Sequence, residues 1–308
     1  MHVRCESCGG RDIRTVSVRP GLDYWRCCSC WHMLQVHQGR ELIGRFCEAQ
    51  SKYYVHSKGH TGERSDILTV ELTLKHYEIF RRFVSRSATV LEVGPGSGEF
   101  LRMIINDGTL VTGVEESAAL AANLNELAGV SIVNGVLEDS GLPTASHDAL
   151  CSFHVIEHVP DPQLHLVESA RIVRPGGLAI LATPNARSWQ QCVFPTLSPN
   201  LDSAHLRVFS SQSLRTLAER SGWEVIWECT PEYSSGWLRV MSKVIRRVRG
   251  QDEEVTAGRY WSGAPALVGI LVRAFRVVSL PLRLVQDRCH GGNELVLVLR
   301  RACHERPT

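Results

Sequence analysis

The chain has 308 residues, enough for one large domain with a small companion. Its hydrophobic fraction of 44% and charged fraction of 21% are those of a globular protein. With 34 basic against 32 acidic residues the formal charge is +2, which argues against nucleic acid as the main partner.

Met1 to Gly10 is polar and does not resemble a signal peptide. The apolar run Gly263–Val272 is too short to span a bilayer, so no transmembrane segment and a cytoplasmic setting are expected. Eleven cysteines include two Cys-x-x-Cys pairs, Cys5/Cys8 and Cys27/Cys30, and seven scattered thiols. That usage suits a reducing compartment with one metal site, not a disulfide framework. Each pair forms a knuckle, and two knuckles close a tetrahedral four-sulfur site that leaves a zinc ion no open position. Residues 1–45, with a β-type run at Ile13–Val18, read as a structural zinc ribbon. Five nearby arginines, Arg4, Arg11, Arg14, Arg19 and Arg26, read as a solvated surface.

Residues 46–70, polar and containing Tyr53 and Tyr54, read as a linker. A helical pattern spans about Leu72–Val84. From there strands and helices alternate through 71–235. Strands are expected at Thr89–Val93, Leu110–Val114, Val130–Asn134, Ala149–Phe153, Leu178–Thr183 and Trp223–Cys229. Helices are expected at Glu99–Asn106, Ser117–Leu127, Gln163–Val173 and Ser211–Arg220. Such alternation means an α/β fold with a mostly parallel sheet and helices on both faces. An Arg-rich apolar segment at 236–290 reads as a helical insertion, and 291–308 returns a final strand at Glu294–Leu299.

The segment Val90–Leu101 is a buried β-run, a glycine turn and an amphipathic helix. Gly94, Gly96 and Gly98 let backbone approach a ligand without Cβ clashes. A dinucleotide fingerprint requires glycine where Glu99 stands, and a pyrophosphate requires an electropositive helix start. Glu92 and Glu99 instead flank the loop with negative charge. S-adenosylmethionine carries a sulfonium and an ammonium and no phosphate, so these surroundings favour it. Glu115, at the end of the next strand and about twenty residues on, stands where a carboxylate accepts the ribose hydroxyls.

At these residues the chain resembles the class I S-adenosylmethionine-dependent methyltransferases, whose fold is a Rossmann-like seven-stranded sheet. Leu91–Gly98 is similar to their first motif, Asp148–Pro162 to the segment around their fourth strand, and Arg174–Asn185 to their fifth strand and its lead-in. His205–Ser210 resembles a block of the ubiquinone-type O-methyltransferases, and bacterial members of that subgroup also carry a ribbon followed by paired tyrosines. The resemblance implies that Glu92, Gly94 and Gly96 line the methionine part, and that Leu137 and Glu138 lie where adenine is gripped. Phe153 and His154 would close the pocket.

His154, Glu157 and His158 follow the fourth strand with helical spacing. Three readings stand. His154 acts as general base toward the acceptor. Alternatively His154, Glu157 and His158, completed by His205, hold a divalent metal, as relatives with Glu-x-x-Glu-His do, although His154 replaces the first Glu here. In the third, Glu157 and His158 brace the helix.

The reading of function is methyl transfer from S-adenosylmethionine to a small-molecule or sugar-type acceptor in a bacterial biosynthetic pathway. Its rivals are an RNA- or protein-modifying methyltransferase and an inactive cofactor-binding adaptor. The insertion 236–290 has three roles open to it: a lid over the acceptor, a core or dimer face, or a peripheral membrane contact with arginines at the headgroups. Oligomeric state is left open.

Overall fold

The computed structural model describes residues 4–36, 67–127, 129–203, 205–250 and 266–303. The expected linker, with Tyr53 and Tyr54, lies outside the described residues as far as Ile67.

Strands β1 (Ile13–Arg19), β2 (Leu22–Cys27) and β3 (Met33–Gln35) form an antiparallel N-terminal sheet. Helix α1 (Ile67–Phe83) precedes β4 (Thr89–Val93), α2 (Glu99–Asn106), β5 (Leu110–Glu115), α3 (Ala118–Asn125) and β6 (Val130–Asn134). Next come β7 (His147–Phe153), α4 (Pro162–Ile172), β8 (Val173–Pro184), the short α5 (Trp189–Val193) and β9 (Arg207–Val208). The chain ends with α6 (Ser211–Arg220), β10 (Trp223–Cys229), three helices α7 (Ser234–Val248), α8 (Ala266–Val278) and α9 (Leu280–Arg288), and β11 (Glu294–Arg301).

The main sheet has seven strands in the order β10-β11-β8-β7-β4-β5-β6. Only β11 runs antiparallel to its neighbours, so the sheet is the mostly parallel one expected. Its central strands are buried on both faces, which is why β8 and β11 carry the apolar runs Leu178–Ala182 and Leu295–Leu299. Side chains alternate between two cores. Leu91, Leu150, Leu181 and Leu297 face one, beneath α4 and α6. Val90, Cys151, Ile180 and Val298 face the other, beneath α1, α2 and α3.

Element limits follow local chemistry. Helix α6 starts where Ser210 and Ser213 make a reciprocal capping box. Strand β8 begins at Val173, five residues before the apolar run. Gly177 allows this: a Cβ there would lie 2.7 Å from the Asp148 carbonyl oxygen, so only glycine lets the Pro-Gly-Gly lead-in join the sheet.

The N-terminal sheet gains a fourth strand from far along the chain. Strand β9 pairs with β3, placing Met33 opposite Val208 and Leu34 opposite Arg207. Val18, Leu22, Tyr24 and Met33 share one core with Ala186, Leu201 and Val208. The ribbon is therefore built onto the segment that follows β8.

Helices α7 to α9 occupy the connection between β10 and β11. Because β11 runs against the parallel strands, this connection lies at their carboxyl end, where open α/β sheets bind ligands. Buried Glu232 ties the cap to the sheet, accepting from Gln190 Nε2 (2.9 Å), Gln286 Nε2 (3.0 Å) and the Asn293 amide (2.7 Å). Residues 251–265 of the expected insertion lie outside the described residues.

Candidate active site

The glycine loop leaves β4 and turns into α2. The Gly94 amide donates to the Val114 carbonyl at 2.8 Å, fixing the loop to β5. Gly94 has φ 67°, and a Cβ there would meet a Val155 methyl at 2.6 Å. Gly96, at φ 56°, has open space where its Cβ would point. The loop is thus packed behind and open in front, as a cradle for a ligand must be.

Two carboxylates frame this cradle. Glu115 ends β5 and accepts from the Gly96 amide (3.0 Å) and the Ser117 amide (2.9 Å). Burial raises its carboxyl above the usual range, and the two amides oppose that shift. Each oxygen keeps a lone pair for further donors. Glu92 lies on β4 and is 3% exposed, and its Oε2 has no hydrogen-bond partner among the described residues. Burial, with Glu99 and Glu115 adding to it, pushes Glu92 up to about 8. A buried carboxylate with an unfilled oxygen beside an open glycine loop suits a cationic ligand. The donor set therefore fits S-adenosylmethionine, and it disfavours a pyrophosphate.

This gives a pH dependence with a definite sign. Without ligand the raised carboxyl keeps its proton into neutral pH. Ionising it then works against the fold progressively from about pH 4.3 until about 8. A bound cation favours the ionised form, so binding expels a proton below pH 8. Affinity for S-adenosylmethionine should rise with pH toward 8, by at most about tenfold per unit. Glu92→Gln should flatten the profile. Calorimetry across pH checks this, and a flat wild-type profile is inconsistent with it.

Beyond β6, Leu137–Asp139 forms a short 3-10 turn. Leu137 is buried in the main core, and the Glu138 carboxylate sits 2.9 Å from His165 Nδ1 on α4. Burial resists ionisation of Glu138, yet His165 holds it below the usual range. The two side chains expected near adenine are thus both engaged within the protein.

His154 follows β7 with a left-handed φ of 57°, uncommon outside glycine. That turn directs its ring between two carboxylates: Nδ1 is 3.2 Å from Glu157 Oε1, and Nε2 is 2.7 Å from Glu294 Oε1. Burial alone would lower His154, but the two carboxylates outweigh it and push the imidazole up to about 10. Both ring nitrogens are thus engaged by carboxylates, which tells against the expected general base at His154. The network extends further. His76 Nε2 lies 2.9 Å from Glu294 Oε1, the Tyr233 hydroxyl donates to Glu294 Oε2 at 2.6 Å, and the Thr183 hydroxyl donates to Glu157 Oε2 at 3.0 Å. Phe153 stacks on His76 at 4.2 Å and meets Phe100 edge-on at 4.8 Å, forming an aromatic floor. Next to it, the rings of His158 and His205 stack at 5.0 Å, with Asp202 Oδ1 2.8 Å from His205 Nδ1. Donor atoms of Glu157, His158 and His205 lie within 4.8 Å of one another.

The four ribbon cysteines converge. Cys5 and Cys30 sulfurs are 3.6 Å apart, as are those of Cys8 and Cys27, and all four lie within 4.8 Å of one another. Zinc–sulfur bonds of about 2.3 Å in a tetrahedron imply sulfur separations of about 3.8 Å, so the cluster fits zinc. Cys28 stays outside it, its amide donating to the Asp12 carbonyl.

Residues 74–228 match a family model described as a methyltransferase domain. The chain belongs to the class I methyltransferase family. A protein of Mycolicibacterium smegmatis described as a probable S-adenosylmethionine-dependent methyltransferase is 32% identical over 154 residues, 49% of this chain and 58% of that one. The ubiquinone biosynthesis O-methyltransferase of Pectobacterium carotovorum is 33% identical over 112 residues, 34% of this chain and 47% of that one. The chain spans about half the length of the curated relatives it matches. The structure of 1,6-didemethyltoxoflavin-N1-methyltransferase from Burkholderia thailandensis superposes with a TM-score of 0.52 at 13% identity, covering 94% of this chain and 99% of that one, a likeness of fold.

In this methyltransferase the glycine loop, Glu92 and Glu115 come together as the sequence implies. Glu157, His158 and His205 also converge, although 47 residues separate His158 from His205. The sequence reading missed Glu294, His76 and Tyr233. A signal existed for His76: it continues the stripe of Leu72 and Phe80 at four-residue spacing, an odd place for an imidazole unless it has a buried partner.

Proposed function

We propose that this methyltransferase moves the methyl group of S-adenosylmethionine onto a nucleophile of a small-molecule or sugar-type acceptor, within a bacterial biosynthetic pathway. The observation that carries the reading is a buried, partnerless Glu92 oxygen two residues before an open glycine loop whose Gly96 amide donates to Glu115. When bound, the cofactor supplies a methyl carbon already activated by positive sulfur. The chain's task is alignment and exclusion of water. Glu92 meets the cationic end, the Gly94–Gly98 backbone passes beneath it, and Glu115 takes the ribose hydroxyls on the lone pairs that Gly96 and Ser117 leave free. His154, locked between Glu157 and Glu294, fixes the wall on the acceptor side.

None of the ten described cysteines is in a disulfide, which suits a reducing, cytoplasmic setting with zinc as the one structural metal. Among the described residues no helix is long and apolar enough to cross a membrane. A second reading adds a divalent ion at Glu157, His158 and His205. Two imidazoles and one carboxylate suit a transition metal better than magnesium. Turnover that chelation abolishes and one particular metal restores, with ribbon zinc unchanged, supports that ion.

Replacing Glu115 with Ala leaves the ribose hydroxyls without their acceptor. It should weaken binding of S-adenosylhomocysteine by about 1–3 kcal/mol in calorimetry. Unchanged affinity overturns the placement of the cofactor. Labelled methyl donor offered to a panel of hydroxylated and amino-sugar acceptors tests the acceptor class.

A further inference from the structure

The outer surface of the cap is apolar and basic at once. Met241, Val244, Ile245 and Val248 recur on α7 at the spacing of a single helical stripe, and all four are exposed, Val248 at 83%. The residues of α7 that are buried, among them Gly236, Leu238 and Val240, lie in its first half. Leu238 packs against Val272 and Phe275 of α8, and Trp237 Nε1 donates to Gln286 of α9, so the three helices form one unit at that end. Helix α8 closes on Val277 and Val278, exposed at 73% and 79%, and α9 adds exposed Leu280 and Leu284.

Charge is segregated onto the same helices. Helices α7 and α8 contain no Asp or Glu, and α9 contains only Asp287. Basic residues outnumber acidic ones eightfold across the three helices, while acidic residues prevail in the rest of the chain. Arg283 and Arg276 face Glu71 of α1. Arg246, Arg247, Arg249, Arg273 and Arg288 face no carboxylate among the described residues. On α7 the arginines flank the apolar stripe.

We propose that the α7–α9 face docks on an anionic bilayer, with the apolar stripe at the boundary of headgroups and acyl chains and the free arginines among lipid phosphates. A protein partner with an apolar face alone would leave those arginines unmatched, whereas an anionic lipid surface meets both features. The cap joins the sheet at the end that carries Glu294 and His154, so docking turns the acceptor side toward the membrane. Docking of this face is independent of methyl transfer, and its test contains no methyl-transfer step.

The test is co-sedimentation of the full chain with vesicles of phosphatidylcholine alone and of phosphatidylcholine mixed with phosphatidylglycerol, at low and high salt. Expected is pelleting with the anionic vesicles, weakened by salt and small with phosphatidylcholine alone. Each arginine near such a surface strengthens binding about fivefold, so the double variant R247Q/R249Q should bind roughly thirtyfold more weakly. I245D/V248D should abolish pelleting while S-adenosylhomocysteine affinity, used as the check of folding, stays unchanged. Wild-type protein that remains in the supernatant overturns the proposal, as does I245D/V248D pelleting like wild type. A chain that ignores vesicles but is dimeric, and becomes monomeric in I245D/V248D, overturns it in favour of self-association.

Discussion

Replacing Cys8 with serine is expected to cost the protein its ribbon and its turnover while leaving cofactor binding nearly intact. Cys8 is the exposed member of the four-sulfur cluster, so the substitution disturbs no apolar packing and acts through the metal. Structural zinc contributes on the order of 10–16 kcal/mol of binding free energy in small metal domains, far more than the short ribbon core supplies. The damage should then travel along identified bonds. Glu6, between Cys5 and Cys8, pairs with Arg207 through Nε and through Nη2 (3.1 Å to Oε2). Burial resists the ionisation of Glu6, yet His32 and Arg207 hold it down to about 2. Arg207 donates onward to the Val159 carbonyl (2.6 Å) and the Pro160 carbonyl (3.0 Å), and the Leu206 and Arg207 amides donate to the Glu157 carbonyl. Tyr24 donates its hydroxyl to the Asp202 and His205 carbonyls, 2.7 Å each. The ribbon therefore braces the loop that bears Glu157 and His158 and the segment that bears His205. Expected readings are loss of zinc in elemental analysis, faster amide exchange over 201–210, and a fallen kcat with S-adenosylhomocysteine affinity within a few-fold. A zinc-free variant with full turnover would sink the role as a brace, and wild-type protein without zinc would sink the metal.

Glu294→Leu should be the most damaging single change at the acceptor side. It strips His154, His76 and the Tyr233 hydroxyl of their shared acceptor inside a buried site. Removing one member of a buried ion pair costs about 3–5 kcal/mol, which for a domain of this size lowers Tm by roughly 10 °C. Burial resists ionisation of Glu294, but His76 and His154 hold its carboxyl well below the usual range. The pH signs follow. Glu294 has a lowered value, so its contribution is present above the unfolded carboxylate pKa and is lost in strong acid. His154 has a raised value, so its contribution is complete below about pH 6.5 and is lost as pH climbs through about 10. Wild-type stability should thus decline on the alkaline side near 10, and the variant, in which His154 keeps only Glu157, should show a smaller decline that begins at lower pH. Calorimetric melts of both proteins over that range decide it. A variant that melts with wild type shows the network to be unimportant for the fold.

The elements that the sequence revealed are those whose signal is local. Strand β4 and helices α2 and α6 stand where periodicity and end chemistry put them. The glycine loop and Glu115 were legible because their spacing is set by one β-turn-α unit and the next strand. The two-carboxylate setting of His154 did not show in the sequence, because Glu294 lies 140 residues away and appears there only as the start of a strand. Strand β9 escaped notice because two residues carry no period. The exposure of the α7 stripe was also invisible: an apolar repeat marks a face, but only packing shows whether protein covers it.

Strand β9 also has a consequence for how the chain is made. The cysteine knuckles and β1 to β3 leave the ribosome first, yet the strand that closes their sheet is synthesised only after β8. Until then β3 presents an open edge of unpaired amides and carbonyls, the kind of edge that recruits neighbouring chains. A fragment ending before Arg207 keeps that edge open permanently. Expressed alone, the ribbon should bind metal and yet self-associate, and a chain that includes β9 should not.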